Sequence, residues 1–333
     1  MIKNKKKICL IGLGNIGYYH LYSILKKVKS SKILVVDKSK KNFLKIKKKF
    51  SSKYLKKRSI NLTFLKEVNF SNNIFDLVIL ATTSDVRLTI IKKIIKKNMI
   101  KNILVEKIAA SSLAEYRDIQ KIFYKKKIRN YINFPRREYK VYRYIRNKIN
   151  SSSDEIICIT NIGINWNLAS NIFHLVDLMY FLNNKKKIYL KINKLENKLF
   201  SSPRRSFHEL KGKIIFQDQN KGVLICEDLA FKKNTKLFSS QPIIIETKKY
   251  IFQVYENMHR LIIIEKTSGN IKSKIFKTPL QSVLTYKFMK KIFNRTIGLP
   301  DFKESYSNHK LLFNTFADHK KKNIKGNLKF KIT

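Results

Sequence analysis

Over the first third of the chain, short unbroken apolar runs alternate with longer stretches whose apolar residues recur every three or four positions. Residues 7–13, 32–37, 75–84 and 101–108 are of the first kind, and an uninterrupted run such as Ile8, Cys9, Leu10 and Ile11 is the pattern of a parallel strand buried on both faces. Residues 85–99 and the serine-led stretch 111–127 are of the second kind and predict amphipathic helices. Strand and helix in alternation predict an α/β domain with a doubly wound parallel sheet, whose ligands lie at the carboxyl ends of the strands. Those ends are Gly12 to Gly17, Asp37, Thr82 to Ser84, and Glu106 to Lys107. Beyond about residue 127 the rhythm changes. A strand and turn near 131–139, a long strand over 155–167 and a helix over 169–182 are followed by strand-like stretches in series and a helical tail. That order predicts an α+β domain with a mostly antiparallel open sheet. The expected division is a Rossmann domain over 1–127 and a substrate and oligomerisation domain over 128–333.

The turn after the first strand narrows the ligand. In "GLGNIGYYH", Gly12 suits the tight turn, Gly14 lets backbone approach a pyrophosphate, and Gly17 lets helix pack on strand, with Asn15 and Ile16 opening a helix whose N-terminus faces the phosphates. Asp37 ends the next strand 20 residues after Gly17, the spacing of an acid that holds a ribose 2′-hydroxyl. The expected cofactor is therefore NAD. Lys38 and Lys40 follow at once and would suit a 2′-phosphate, which leaves NADP open.

Composition changes this picture little. At 333 residues and 44% hydrophobic, the chain suits two domains with a core in each. The formal net charge of +50 would draw anionic ligands, and by itself fits a nucleic-acid or membrane-surface binder. The lysines, however, are spread through every predicted helix among Ile and Asn, and no nucleic-acid-binding motif accompanies them. They read as solvated faces, so no specific nucleic acid and no membrane partner is expected. No apolar segment is long enough to span a bilayer and nothing resembles a signal peptide, so a cytoplasmic location is expected. Cys9, Cys158 and Cys226 are odd in number and far apart, and no His, Cys or carboxylate spacing suggests a metal.

The motifs together resemble the Gfo/Idh/MocA family of sugar-type oxidoreductases over nearly the whole length. "GLGNIGYYH" is similar to its nucleotide turn, "ATTSD" to its nicotinamide-side loop (Thr82, Thr83, Ser84), and "VEKI" to its Glu-Lys-Pro strand end (Glu106, Lys107). "NFPRREY" resembles its Asn-x-x-Arg-Arg crossover, "NIFHLVDLMYFL" the helix carrying its substrate-facing histidine, and the segment from Gly298 to His319 its closing stretch. The resemblance implies a Rossmann domain, an open-sheet second domain, and NAD(P)-linked hydride transfer at a hydroxyl or keto group of a sugar or nucleotide sugar. Lys107 and His174 are then the expected catalytic pair, one binding the reacting oxygen and both able to exchange its proton. Asp177, one turn beyond His174, is expected to orient it, Arg137 to grip an anionic group, and Trp166 and Asn167 to form a sugar platform and a hydroxyl-binding amide. The sequence departs from the family pattern twice. Ile108 stands where the family has a proline, often in cis, and Ser170, beside Asn171, stands where it has an aspartate. "WNLASNIFH" resembles a polar variant of members acting on bacterial surface sugars. Two other classes stay open: a cofactor-binding sensor or regulator without catalysis, and a polybasic binder. An exposed face of the second-domain sheet would suit a homo-oligomer.

Overall fold

The computed structural model describes residues 5–204, 206–229, 241–323 and 331–332. It splits into two compact units, Met1–Asn133 with Pro279–Glu304, and Phe134–Thr278 with Ser305–Thr333.

The first unit runs β1 (Lys6–Ile11), α1 (Asn15–Lys27), β2 (Ser31–Val36), α2 (Lys40–Lys49), α3 (Ser52–Lys57), β3 (Ile60–Leu65), β4 (Ile74–Phe75), β5 (Leu77–Leu80), α4 (Arg87–Lys97), β6 (Met99–Ile100), β7 (Asn102–Val105), α5 (Leu113–Lys125) and β8 (Arg129–Ile132). Its six-stranded sheet has the order β3-β2-β1-β5-β7-β8, parallel throughout, so the order reverses beside β1 and opens a crevice at the strand ends. The central strands are apolar because both their faces are covered, and Ile8, Leu10, Val78, Ile79 and Val105 are fully buried. The apolar run over 75–84 leaves the sheet sooner than its pattern suggests. Thr83 Oγ1 donates to Asp85 Oδ1 (2.7 Å), a local bond that draws the chain into a short 3₁₀ turn over Ser84–Val86. The serine start of α5 is a cap in which Ser112 Oγ accepts from Glu115 N (3.2 Å).

The second unit opens with α6 (Lys140–Ser151), a helix the sequence reading did not include. Its buried residues Val141, Tyr142, Ile145 and Ile149 keep helical spacing, but polar and basic residues between them hide the stripe. The chain continues through β9 (Ile156–Ile164), α7 (Leu168–Leu182), β10 (Ile188–Leu195), β11 (Phe200–Ser201), β12 (His208–Glu209), β13 (Gly212–Asp218), β14 (Val223–Leu229), β15 (Ile243–Thr247), β16 (Tyr250–Tyr255), β17 (Arg260–Glu265) and β18 (Ile271–Ile275). Eight strands form a sheet in the order β10-β13-β14-β9-β15-β16-β17-β18. Every neighbouring pair is antiparallel except β14 with β9. Residues 242–256 fold as a hairpin, closed where Thr247 Oγ1 accepts from Tyr250 N (2.8 Å). Strict alternation, as in β13 where Ile214 and Phe216 are buried, gives this sheet one covered face on which α7 lies.

After β18 the chain adds α8 (Gln281–Phe293) to the first unit, packed on α1, and α9 (Tyr306–Asn323) to the second. Cys9 and Cys226 are buried, whereas Cys158 is only half-buried, and all three are free. No helix among the described residues is long and apolar enough to cross a membrane.

Candidate active site

In the first unit the glycine turn has the geometry a dinucleotide needs. Gly12 has φ +92°, and a Cβ on it would lie 2.8 Å from the Ala81 carbonyl. A Cβ on Gly17 would lie 2.0 Å from the Gly12 carbonyl oxygen, so helix and turn touch only because residue 17 is glycine. Gly14 differs. It is the N-cap of α1, its φ is −65°, and nothing lies within 4 Å of the Cβ it lacks. Its empty side faces the space a pyrophosphate would fill, at the positive end of the helix. Asn15 and Ile16 form the first turn of that helix.

Asp37 stands at the end of β2. Its Oδ2 accepts from Leu13 N (2.5 Å) and its Oδ1 from Ser39 N (2.8 Å), which ties the glycine turn to the neighbouring strand end. At the end of β5, Thr82 Oγ1 is buried with no hydrogen-bond partner among the described residues, an orphan that a ligand hydroxyl or amide would satisfy. Thr83 is half-buried and Ser84 buried. These features fit NAD: the turn accommodates its pyrophosphate, and Asp37 and Thr82 offer polar atoms on either side.

The end of β7 is held from within. Glu106 is 7% exposed, and its Oε1 accepts from His20 Nε2 (2.8 Å) and from Asn133 Nδ2. Burial pushes the Glu106 carboxyl up, but His20, Asn133 and Arg87 together outweigh it and hold it below its ordinary value. Glu106, expected at the cofactor, thus lies in a buried network that also includes Thr285, whose hydroxyl is 2.9 Å from His20 Nδ1. Lys107 follows, half-buried, and the Lys107–Ile108 peptide is cis although no proline is present. Arg87, which the sequence gave no reason to single out, is 1% exposed. It donates to the carbonyls of Thr82 (2.6 Å), Glu106 and Ile108, joining two of the strand ends. Such a clamp carries no sequence signature, because its acceptors are backbone atoms.

The second unit brings Trp166, Asn171 and His174 together on one cavity of about 500 Å³, whose walls also include Arg136, Tyr139, Asn161, Asn165, Gln241, Glu256 and Asn257. Asn165 and Asn167 both have positive φ, 52° and 62°, a conformation asparagine tolerates better than most residues, and this bend sets the start of α7. Carboxylates from other strands cap the helix. Asp228 Oδ2 accepts from Leu168 N (3.2 Å) and Glu209 Oε2 from Ser170 N (3.1 Å), negative groups at the positive end. Burial raises the Asp228 pKa, against the backbone donors. Ser170 is buried, its hydroxyl donating to Asn167 O (3.2 Å), and Asn171 Nδ2 donates to Trp166 O (2.6 Å). Trp166 Nε1 donates to Glu227 O (2.9 Å), which fixes the indole at the cavity wall.

The arginines of the crossover are both matched by internal acids. Arg137 and Asp177, expected to grip an anion and to orient His174, are 2% and 1% exposed and pair bidentately at 2.8 and 2.7 Å. Arg136 pairs in the same fork with Glu256 at 2.7 and 2.8 Å, and Tyr142 OH donates to Glu256 Oε1 (2.7 Å). Burial works to raise the Glu256 carboxyl, but Arg136 and Tyr142 outweigh it and hold it below its ordinary value. His174 meets the Phe134 ring edge to face, 5.5 Å between centroids.

A six-stranded parallel sheet with this turn defines a dinucleotide-binding Rossmann domain. Residues 6–134 match the family model GFO_IDH_MocA, described as an oxidoreductase family with an NAD-binding Rossmann fold. No curated protein sequence matches the chain. Solved structures share its fold at low identity. A dehydrogenase (MviM) from Clostridium difficile is 17% identical with a TM-score of 0.68, the likeness covering 95% of this chain and 100% of that one. The transcriptional regulator Gal80p from Kluyveromyces lactis is 14% identical with a TM-score of 0.69, over 96% of this chain and 91% of that one. UDP-N-acetylglucosamine 3-dehydrogenase GnnA from Acidithiobacillus ferrooxidans is 10% identical with a TM-score of 0.65, over 94% and 96%.

Proposed function

We propose that the protein is an NAD-dependent oxidoreductase that transfers a hydride between the nicotinamide and a hydroxyl or keto group of a sugar or nucleotide sugar. The observation that carries the sugar assignment is the second unit's cavity, where His174 stands among side-chain amides and the Trp166 indole. Amides donate and accept as a polyol requires, and an aromatic wall covers the apolar side of a sugar ring. When bound, the cofactor supplies the hydride chemistry. The chain's own part is to hold it, through Gly12, Gly14, Asn15, Ile16, Gly17, Asp37, Thr82, Thr83 and Ser84, with Glu106 bracing the strand end from within, and to bind the reacting oxygen and move its proton, through Lys107 and His174. Trp166, Asn167, Ser170 and Asn171 belong on this reading to the substrate, Arg137 and Asp177 to the support of His174. The experiment is a panel of sugars and nucleotide sugars, assayed for change in NADH absorbance. Turnover of a sugar supports the reading; bound cofactor without turnover of any favours the second reading, a cofactor-dependent sensor.

That second reading has an observation of its own, since Gal80p, a regulator, shares the fold and Ser170 replaces a carboxylate of the family pattern. We further propose a homo-oligomer through the open face of the second-unit sheet, where Ile162, Tyr189 and Leu229 are 40%, 43% and 43% exposed. A cytoplasmic location suits three free cysteines. The scattered lysines imply no specific nucleic-acid partner.

A further inference from the structure

A net charge of +50 leads one to expect anionic substrates, yet the cavity of the second unit is built otherwise. Arg136 is the only lysine or arginine among the described residues lining it. Its guanidinium faces the Glu256 carboxylate in a two-bond fork at 2.7 and 2.8 Å, and the two side chains are comparably exposed, 20% and 23%. A carboxylate entering the cavity would therefore meet a negative group as accessible as the positive one. Tyr142, donating to Glu256 Oε1 at 2.7 Å, fixes that carboxylate in the fork. Beside His174, what remains among the described lining residues to read a ligand is uncharged: the amides of Asn161 and Gln241, that of Asn165, whose Oδ1 accepts from the Lys211 ammonium, and the Trp166 indole.

We propose that Glu256 is a specificity-determining residue, which cancels Arg136 and restricts this cavity to the electrically neutral sugar moiety of a substrate, rejecting a uronate. The inference rests on the reading of the cavity as a sugar site and adds to it a choice among sugars that differ by one carboxylate. An acid in the wall acts here as the repulsive element that discriminates between otherwise similar ligands. Any diphosphate of a nucleotide sugar would have to be held outside this cavity.

Trp166 is the sole tryptophan of the chain and lines the cavity, so its emission reports binding without turnover. The full-length protein with NAD⁺ would be titrated with UDP-glucose and UDP-glucuronate, which differ only at C6, a hydroxymethyl in the first and a carboxylate in the second. UDP-glucose should bind roughly tenfold or more tightly, since like-charge juxtaposition at a binding surface is costly. Glu256→Gln, which keeps hydrogen-bonding atoms in the fork but removes the charge, should cut that preference by roughly tenfold, mainly by strengthening UDP-glucuronate. Glu256→Asp, keeping the charge, should retain the preference. Equal affinity of the wild type for the two sugars overturns the proposal whether or not any variant folds, and so does an unchanged preference in a folded Glu256→Gln. If neither sugar alters Trp166 emission in the wild type, the sugar-site reading fails and the proposal falls with it, a result distinct from binding without discrimination.

Discussion

Replacing Gly14 by valine separates the ligand's demand for glycine from the fold's. The position has φ −65°, open to any residue, and no atom lies within 4 Å of the added Cβ, so the variant should fold as the wild type does. The new side chain instead projects into the space reserved for the pyrophosphate. A hydrogen bond to a charged group contributes about 1.5–3 kcal/mol. Losing one such backbone bond therefore weakens cofactor binding by roughly 10- to 100-fold, and losing two by more. Gly17→Ala is the internal contrast. Its Cβ would sit 2.0 Å from the Gly12 carbonyl oxygen, an overlap that no rotamer relieves. Overpacking of this kind costs typically about 1–3 kcal/mol, which should appear as a lowered unfolding temperature. The assay pairs NADH fluorescence titration with thermal unfolding. Gly14→Val with unchanged Tm and lost affinity supports the reasoning. Unchanged affinity in a folded Gly14→Val would remove the dinucleotide from this turn, and Gly17→Ala as stable as wild type would refute the packing argument.

Other outcomes follow from the same geometry. Asp37→Ala should narrow or reverse a preference for NAD over NADP, measured as the ratio of the two dissociation constants, and a wild type that strongly prefers NADP would assign the ribose to Lys38 and Lys40 instead. Lys107→Met and His174→Ala should each leave cofactor affinity nearly intact and lower kcat/KM by roughly 10²-fold or more on whichever sugar turns over; wild-type rates in both would dismiss the pair. Arg137→Ala strands the buried Asp177 carboxylate and should destabilise the second unit by about 3–5 kcal/mol, read by denaturant unfolding, whereas a loss below about 1 kcal/mol, the range of an exposed pair, would mean that water reaches the pair. Glu106 and Glu256 have carboxyls held below their ordinary value, so their contribution to stability is present above the unfolded glutamate value of about 4.3 and lost as pH falls through the folded value. Unfolding temperature should accordingly drop on acidification, and Glu106→Gln should drop less steeply; an equal slope would deny Glu106 that role.

Local pattern was enough to mark the first unit. Unbroken apolar runs, three glycines and an acid at a set spacing are each short-range features, and Gly12, Gly17 and Asp37 do in the structure what a tight turn beside a strand end requires. The resemblance of the motifs pointed to the family whose model residues 6–134 match, and brought Lys107 and His174 into view. Tertiary structure alone decided which charges remain available, because the groups that settle this are remote in the chain. Arg136 and Glu256 are 120 residues apart, Arg137 and Asp177 40, and Leu168 and Asp228 60, so no periodicity links them. The sequence offers two adjacent arginines and a large positive charge; the fold delivers a carboxylate to each arginine, since a guanidinium taken out of water needs a partner to offset its desolvation.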